Sequence, residues 1–156
     1  MSNNQYGFKK GHSTIDAVSQ LTGHTLLALN KNQNKIAVIL DISRAFDTLD
    51  HNILLEKLHH AGVRGLAQAW FREYLKNRRQ LVMVGGHTSS EQEVSCGIPQ
   101  GSNLGPLLFS LYVNDLSSCV RGCEIVQFAD DTTLYASGNF EDIIDSLNLN
   151  LQSLTQ

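Results

Sequence analysis

The stretch Ile125-Val126-Gln127-Phe128-Ala129-Asp130-Asp131-Thr132-Thr133-Leu134-Tyr135 constrains this chain more than any other. Two short apolar runs flank adjacent aspartates, a pattern of two strands joined by a tight turn. Aspartate tolerates turn geometry, so the dipeptide taken alone is explained by turn chemistry. A further run, Lys35-Ile36-Ala37-Val38-Ile39-Leu40, also reads as a strand and ends on a carboxylate, Asp41. Its residues are apolar on both faces, which predicts a place in the middle of a sheet. Two strand ends carrying acids point to a divalent-metal site, and the rest of the chain tests that idea.

The chain has 156 residues, 42% hydrophobic and 17% charged, an ordinary globular balance for one domain or a piece of one. No apolar run reaches the roughly eighteen residues of a membrane span. The start, Met1-Ser2-Asn3-Asn4, has neither the basic region nor the apolar core of a signal peptide. Cys96, Cys119 and Cys123 are too few for a disulfide framework and read as reduced intracellular thiols. With no address signal, nucleus and cytoplasm stay undivided. A net charge of −3 gives no electrostatic footprint for nucleic acid. That counts against a self-sufficient nucleic-acid enzyme, and less against a fragment of one.

In chain order, Ser13 or Thr14 caps a helix in which Ile15, Val18, Leu21, Leu26 and Leu29 recur at near-helical spacing. The polar run Asn30–Asn34 is an exposed turn. Asp50 caps a helix carrying Leu54, Leu55 and Leu58 and stopping near Gly62. A second helix sets Leu66, Ala67, Trp70, Phe71, Tyr74 and Leu75 on one face, which reads as core. Gln80–Val84, the turn Gly85–Thr88 and a polar return to Ser95 make a hairpin at an edge or on a protruding arm. Arg72, Lys76, Arg78 and Arg79 form a basic cluster, explained by a solvated helix end unless nucleic acid is implicated otherwise. The loop from Gly97 to Pro106 holds three glycines that allow close backbone approach. It feeds a helix with Leu107, Leu108, Leu111 and Tyr112 on its buried side. A last helix opens at Asn139 with Phe140, Ile143, Ile144, Leu147, Leu151 and Leu154. No repeat, low-complexity tract or linker divides the chain.

Strand with acid, insert, rigid loop and helix, hairpin with two acids, helix: this order makes most of a ferredoxin-like split βαβ unit. The predicted class is α+β, an antiparallel sheet with helices packed on one face and a small helical and hairpin insertion. The first strand's end can then lie beside the hairpin turn, bringing Asp41, Asp130 and Asp131 together. Clustered carboxylates resist ionising together, and a pair of divalent cations removes the conflict. Oxygen ligands suit magnesium. Two such ions about 3.5–4 Å apart can activate an attacking hydroxyl and stabilise a leaving oxygen in phosphoryl displacement.

At these residues the chain resembles the reverse transcriptases of non-LTR (LINE-type, jockey-like) retrotransposons. Asn4–Gly11 is similar to the Q-x-G-F-x-x-G segment preceding that family's palm. Leu40-Asp41-Ile42-Ser43-Arg44-Ala45-Phe46-Asp47 resembles polymerase motif A, Gly97–Ser102 through Asn114-Asp115 motif B, and Phe128-Ala129-Asp130-Asp131 motif C. Any one motif is weak; all of them in order are specific. The resemblance implies a partial reverse transcriptase domain over residues 1–156: a fingers-side segment and helix at 1–34, the palm at 35–138, and a palm helix at 139–156. It implies that Asp41 and Asp130 bind two magnesium ions (manganese being possible), with Asp131 in support and the Ile42 carbonyl as a further ligand. Amides near Arg44 and Ala45 would face the triphosphate. Phe46 would pack under the sugar and exclude a 2′-hydroxyl, although without the resemblance it reads as a core residue. Gln100 and Gly101 would lie near the nucleotide. Arg78, Arg79, Phe128 and Ala129 would touch nucleic acid. The implied partners are an RNA template, a DNA primer and deoxynucleotides, with no membrane. The implied reaction is attack of a primer 3′-hydroxyl on the α-phosphate, promoted by positioning and electrostatics.

The family's upstream fingers, its thumb and its linked endonuclease find no counterpart in these residues. The expectation is therefore a catalytic signature that works inside a longer polyprotein, with metal binding but no sustained synthesis by the isolated chain. The competing reading is a non-catalytic, truncated retroelement remnant. An unrelated α+β binding domain with chance carboxylates is the remaining one.

Overall fold

A computed structural model describes residues 1–154. Thr155 and Gln156, the end of the helix expected from Asn139, lie outside the described residues. The element order is α1 (Thr14–Asn30), β1 (Asn34–Leu40), α2 (His51–His60), α3 (Gly65–Leu75), β2 (Arg79–Gln80), β3 (Met83–Val84), β4 (His87–Thr88), β5 (Gln92–Glu93), α4 (Gly105–Tyr112), α5 (Leu116–Cys119), β6 (Glu124–Phe128), β7 (Asp131–Gly138) and α6 (Phe140–Leu154). The chain divides into two compact units. One joins Met1–Ser43 to the stretch from Val113 onward, and the other is Arg44–Tyr112. No change of composition marks that division in the sequence.

The first unit is built on a three-stranded antiparallel sheet in the order β1-β7-β6. Strand alternation sorts its apolar residues into two sets. Ile125, Leu134 and Ala136 pack against Ile143 and Leu147 of α6. Val126 and Tyr135, one residue out of phase with them, pack against Ala17 of α1. The α+β class holds. The helices, expected together on one face, cover opposite faces of the sheet, because β6 and β7 are apolar in both phases and both need shelter from water.

Three expectations for this unit change. β1 is an edge strand rather than a central one, and Ile39 is 78% exposed. Its second face is covered near Lys35, whose Nζ donates to Leu21 O and Thr25 Oγ1 and lies over the Tyr135 ring. α1 begins where expected, with Ser13 and Asp16 in a reciprocal capping box. Its buried side, however, carries Ala17 and Ala28, while Ile15, Val18, Leu26 and Leu29 are exposed. Small side chains let the helix approach a sheet whose bulk comes from Val126 and Tyr135. The short α5 carried no signal in the sequence. On α6 the buried positions are Ile143 and Leu147, with Phe140 and Ile144 off that face. Asn150 is also buried there, exchanging hydrogen bonds of 2.8 Å with both backbone groups of Arg121, which ties the helix to the loop before β6.

In the second unit, Asp50 caps α2 by accepting from the amides of Asn52 at 2.7 Å and Ile53 at 3.0 Å. Leu54 and Leu58 are buried, and α2 packs on α3 and α4. The aromatic stripe on α3 is not core: Leu66 is 89% exposed, Trp70 stacks on Tyr74 near the surface, and Leu75 is buried. The expected hairpin forms as two short ladders, β2–β5 and β3–β4, around the turn Gly85-Gly86. His87 and Thr88, expected in that turn, pair with Val84 and Met83. Pro106 sits in the first turn of α4 as its fixed φ requires. The buried side of α4 is rotated from the expected one: Leu108, Phe109 and Ser110 are buried and Leu107 is exposed. Phe109 turns inward because it stacks on Phe46 at 4.8 Å. No helix among the described residues is long and apolar enough to cross a membrane.

Replacing Asp50 by alanine removes the acceptor for two orphan amides of α2. Chemical denaturation should show a loss of about 1 kcal/mol. Burial, with Glu124 across the strand pair adding to it, pushes the Tyr135 phenol up to about 12. The folded state then holds its proton where the unfolded chain has lost it. The Tyr135 contribution to stability is intact below the ordinary phenol value near 10 and is lost as pH climbs toward about 12. Stability measured against pH should fall across that window by a smaller amount in Tyr135→Phe than in the parent.

Candidate functional site

The hairpin turn is set by pairing. Phe128 is the last residue of β6 and faces Asp131, the first of β7, so Ala129 and Asp130 form a two-residue loop. On the other side of β7, Leu40 faces Thr132. Asp41 follows Leu40 and Asp131 precedes Thr132, so both stand at the same end of the β1–β7 pair. Asp130 stands in the turn that β7 leaves. Asp41 and Asp131 are exposed and Asp130 is half-buried. The antiparallel register thus brings the acid-bearing strand ends together. Among the described residues, no three His, Cys, Asp or Glu side chains are already gathered as a ligand set. The donors that register offers are oxygens, with the Ile42 carbonyl next in line after Asp41, and such a set suits a hard divalent cation.

The turn is braced by a segment of the chain's first residues. The Tyr6 amide donates to Gln127 O at 2.9 Å and the Gln127 amide donates to Asn4 O at 2.8 Å, so residues 4–6 run parallel to the free edge of β6. Gln5 is buried between these bonds. Its Nε2 donates to Ala129 O at 3.2 Å, and its Oε1 accepts from Ala129 N at 3.1 Å and Gly7 N at 2.8 Å. Ala129 has φ +57°, in the left-handed region. Gly7 must be glycine, since a Cβ there would stand 2.1 Å from Ala129 N. Phe128 packs with Val126 and Tyr135, and Ala129 is buried. The sequence reading assigned Gln5 no role. The available signal was its place as the first residue of the Q-x-G-F-x-x-G segment.

The second unit holds the remaining candidates. The loop from Gly97 closes on the segment from Phe46 to Leu49: Gly97 N donates to Leu49 O at 2.7 Å and Ile98 N to Phe46 O at 2.8 Å. Gly97 has φ +81°, and a Cβ there would meet Asp47 at 2.8 Å. Close approach at this glycine is therefore to the chain's own backbone. Gly101 has open space where a Cβ would go. Gln100 Nε2 donates to the Asp47 carboxylate at 3.0 Å, a partnership the sequence reading did not anticipate although Asp47 lies within the first motif. Arg44 has φ +54° and is exposed, while Ala45 is buried. Arg78, Arg79, Asp47 and Gln100 line one cleft of about 510 Å³. Arg79 also pairs with Glu91 at 3.2 Å, both well exposed. The other two members of the basic cluster, Arg72 and Lys76, line a different cleft of about 1030 Å³ with His51, His59 and His60.

Comparison with known proteins agrees with the motifs. The family model for reverse transcriptase (RNA-dependent DNA polymerase) matches residues 1–156. The chain is 35% identical over 149 residues to a probable RNA-directed DNA polymerase from transposon BS of Drosophila melanogaster, covering 89% of this chain and 16% of that protein. It is 32% identical over 151 residues to the probable RNA-directed DNA polymerase from transposon X-element of the same organism, covering 92% and 16%. It is 31% identical over 137 residues to the RNA-directed DNA polymerase from mobile element jockey, again of Drosophila melanogaster, covering 83% and 15%. The chain therefore spans about a sixth of the length of these relatives. With the family model matching residues 1–156 of the chain and the acid-bearing strand ends in register, the chain belongs to the reverse transcriptase family of RNA-dependent DNA polymerases.

Proposed function

We propose that this chain carries the catalytic centre of a retrotransposon RNA-directed DNA polymerase, joining deoxynucleotides to a primer 3′-hydroxyl on an RNA template. The observation that supports the reading is the pairing of Leu40 with Thr132, which leaves Asp41 and Asp131 at one end of the strand pair, with Asp130 in the adjoining turn. Asp41, Asp130, Asp131 and the Ile42 carbonyl would hold the divalent cations, for which magnesium is the expected species and two the expected number. When bound, these cations supply charge neutralisation at the attacking and leaving oxygens. The chain's residues bind, orient and exclude. Amides near Arg44 and Ala45 would receive the triphosphate. Gln100, held by Asp47, would face the nucleotide beside Gly101. Phe46, held by stacking on Phe109, would present a rigid ring where a ribose 2′-hydroxyl would otherwise fit. Arg78 and Arg79 would meet the nucleic acid backbone. The net charge of −3 supplies little general attraction for a polyanion, so the grip on template and primer is assigned to basic surface elsewhere in a longer protein.

Manganese binding, followed by calorimetry on the 156-residue chain, should weaken by about tenfold or more in Asp130→Asn and in Asp41→Asn. Unchanged affinity in both variants would sink the metal assignment. In a longer protein containing this stretch, primer extension on RNA should be abolished by Asp130→Asn. The same assay run with ribonucleotides reads Phe46: Phe46→Ala should lower discrimination against them by about tenfold or more. Equal discrimination in parent and variant would return Phe46 to a packing role.

A further inference from the structure

We infer that Gln5 is a positioning residue for Asp130: its side-chain amide clamps the Ala129 peptide and fixes the turn from which the carboxylate projects. This rests on the assignment of Asp130 to the metal-binding set. Gln5 has 0% exposure, and a buried amide is stable only when its hydrogen bonds are made. All of those described go to backbone: Nε2 to Ala129 O, and Oε1 from Ala129 N and Gly7 N. Two of them close on one residue, gripping its donor and its acceptor at once.

That residue is the one for which a grip matters. Ala129 sits at φ +57°, where a Cβ crowds the backbone. An alanine stays in this region only where its surroundings over-determine it. Ala129 is followed directly by Asp130, so relaxation of its φ would redirect the next side chain. The clamp itself is held in place, because on either side of Gln5 the Tyr6 N–H donates to Gln127 O and the Asn4 carbonyl accepts from the Gln127 N–H on β6. Gly7 lets the segment come close enough for the bonds to form. The chemistry demands an amide. It offers one donor and one acceptor side by side, whereas a glutamate would set an oxygen against the Ala129 carbonyl.

The test uses the 156-residue chain as the parent, with Gln5→Ala, Ala129→Gly, the double variant and Asp130→Asn. Two quantities are read: amide hydrogen exchange at Ala129 and Gly7 relative to Leu134, and Mn²⁺ affinity from water-proton relaxation. Gln5→Ala should speed exchange at Ala129 and Gly7 by about tenfold or more against the Leu134 reference. It should also weaken Mn²⁺ binding by about tenfold, as loss of an outer-shell orienting group does. Adding Ala129→Gly should recover part of the affinity, because glycine enters the left-handed region without the crowding that a Cβ brings. A merely structural Gln5 would show no such recovery. Unchanged exchange at Ala129 in Gln5→Ala overturns the inference. So does unchanged Mn²⁺ affinity in a chain whose affinity Asp130→Asn lowers, or a double variant no better than Gln5→Ala. Mn²⁺ binding indifferent to Asp130→Asn would fail the metal assignment instead, and the exchange comparison then decides the clamp by itself. Should Gln5→Ala not fold, Gln5→Met keeps the length, loses both the acceptor and the donor, and is read by the same exchange: faster exchange at Ala129 is expected, and the parent's rate overturns the inference.

Discussion

The pairing of β1 with β7 is the constraint on which the candidate site depends. Strand side chains alternate between faces, so a slip of one residue would send every side chain on β1 to the other face. Leu40 would leave its place among Ile36, Val38 and the α6 contacts, and Asp41 would lose its position beside Asp131. Packing and site chemistry are therefore specified by one register. Ile36, Val38 and Leu40 hold that register through the apolar core, and the acid that follows them inherits its location. A charged group at the sheet's end costs little, since Asp41 and Asp131 remain in contact with water. The core thus supplies the energy that places groups which would repel one another if left alone.

The hairpin turn poses a second demand, on backbone conformation rather than packing. A two-residue loop favours positive φ, and the usual solution is asparagine or glycine. Here an alanine occupies the position, and the burial of Gln5, Gly7 and Ala129 surrounds it with a hydrogen-bonded brace. A flexible glycine would reach the same conformation, but would also leave it easily. The combination of an unfavourable residue and a buried clamp gives a turn with one preferred shape, as the metal role proposed for Asp130 would require.

The Arg44–Tyr112 unit shows a different economy. Its loop from Gly97 is pinned to the segment from Phe46 to Leu49 by backbone bonds, and Gln100 is tied to Asp47. Phe46 gains its fixed orientation from Phe109. Much of the rest is exposed, including Leu66, Ala67 and Trp70 of the α3 stripe and both short ladders. Apolar periodicity on α1 and α3 announced helices correctly. It misidentified their buried sides, because a helix stripe records only that a face is apolar. What covers that face is a matter of tertiary contact.

Local signals alone determined a good deal. The caps at Ser13 and Asp50, the polar turn after Asn30, the strand before Asp41, the Asp-Asp hairpin and the start of α4 after the glycine-rich loop were all legible. Each depends on residues close in sequence, where propensity and capping chemistry act directly. The motifs also sufficed to name the family, since their order and spacing are properties of the chain. Tertiary structure decided which strand lies at the edge, which helix faces are buried and that α1 and α6 take opposite faces of the sheet. It also decided that Gln5, more than a hundred residues away, reaches the backbone of Ala129. These outcomes turn on partners distant in sequence. Alternation and periodicity reveal which residues share a face, while only folding determines what that face meets.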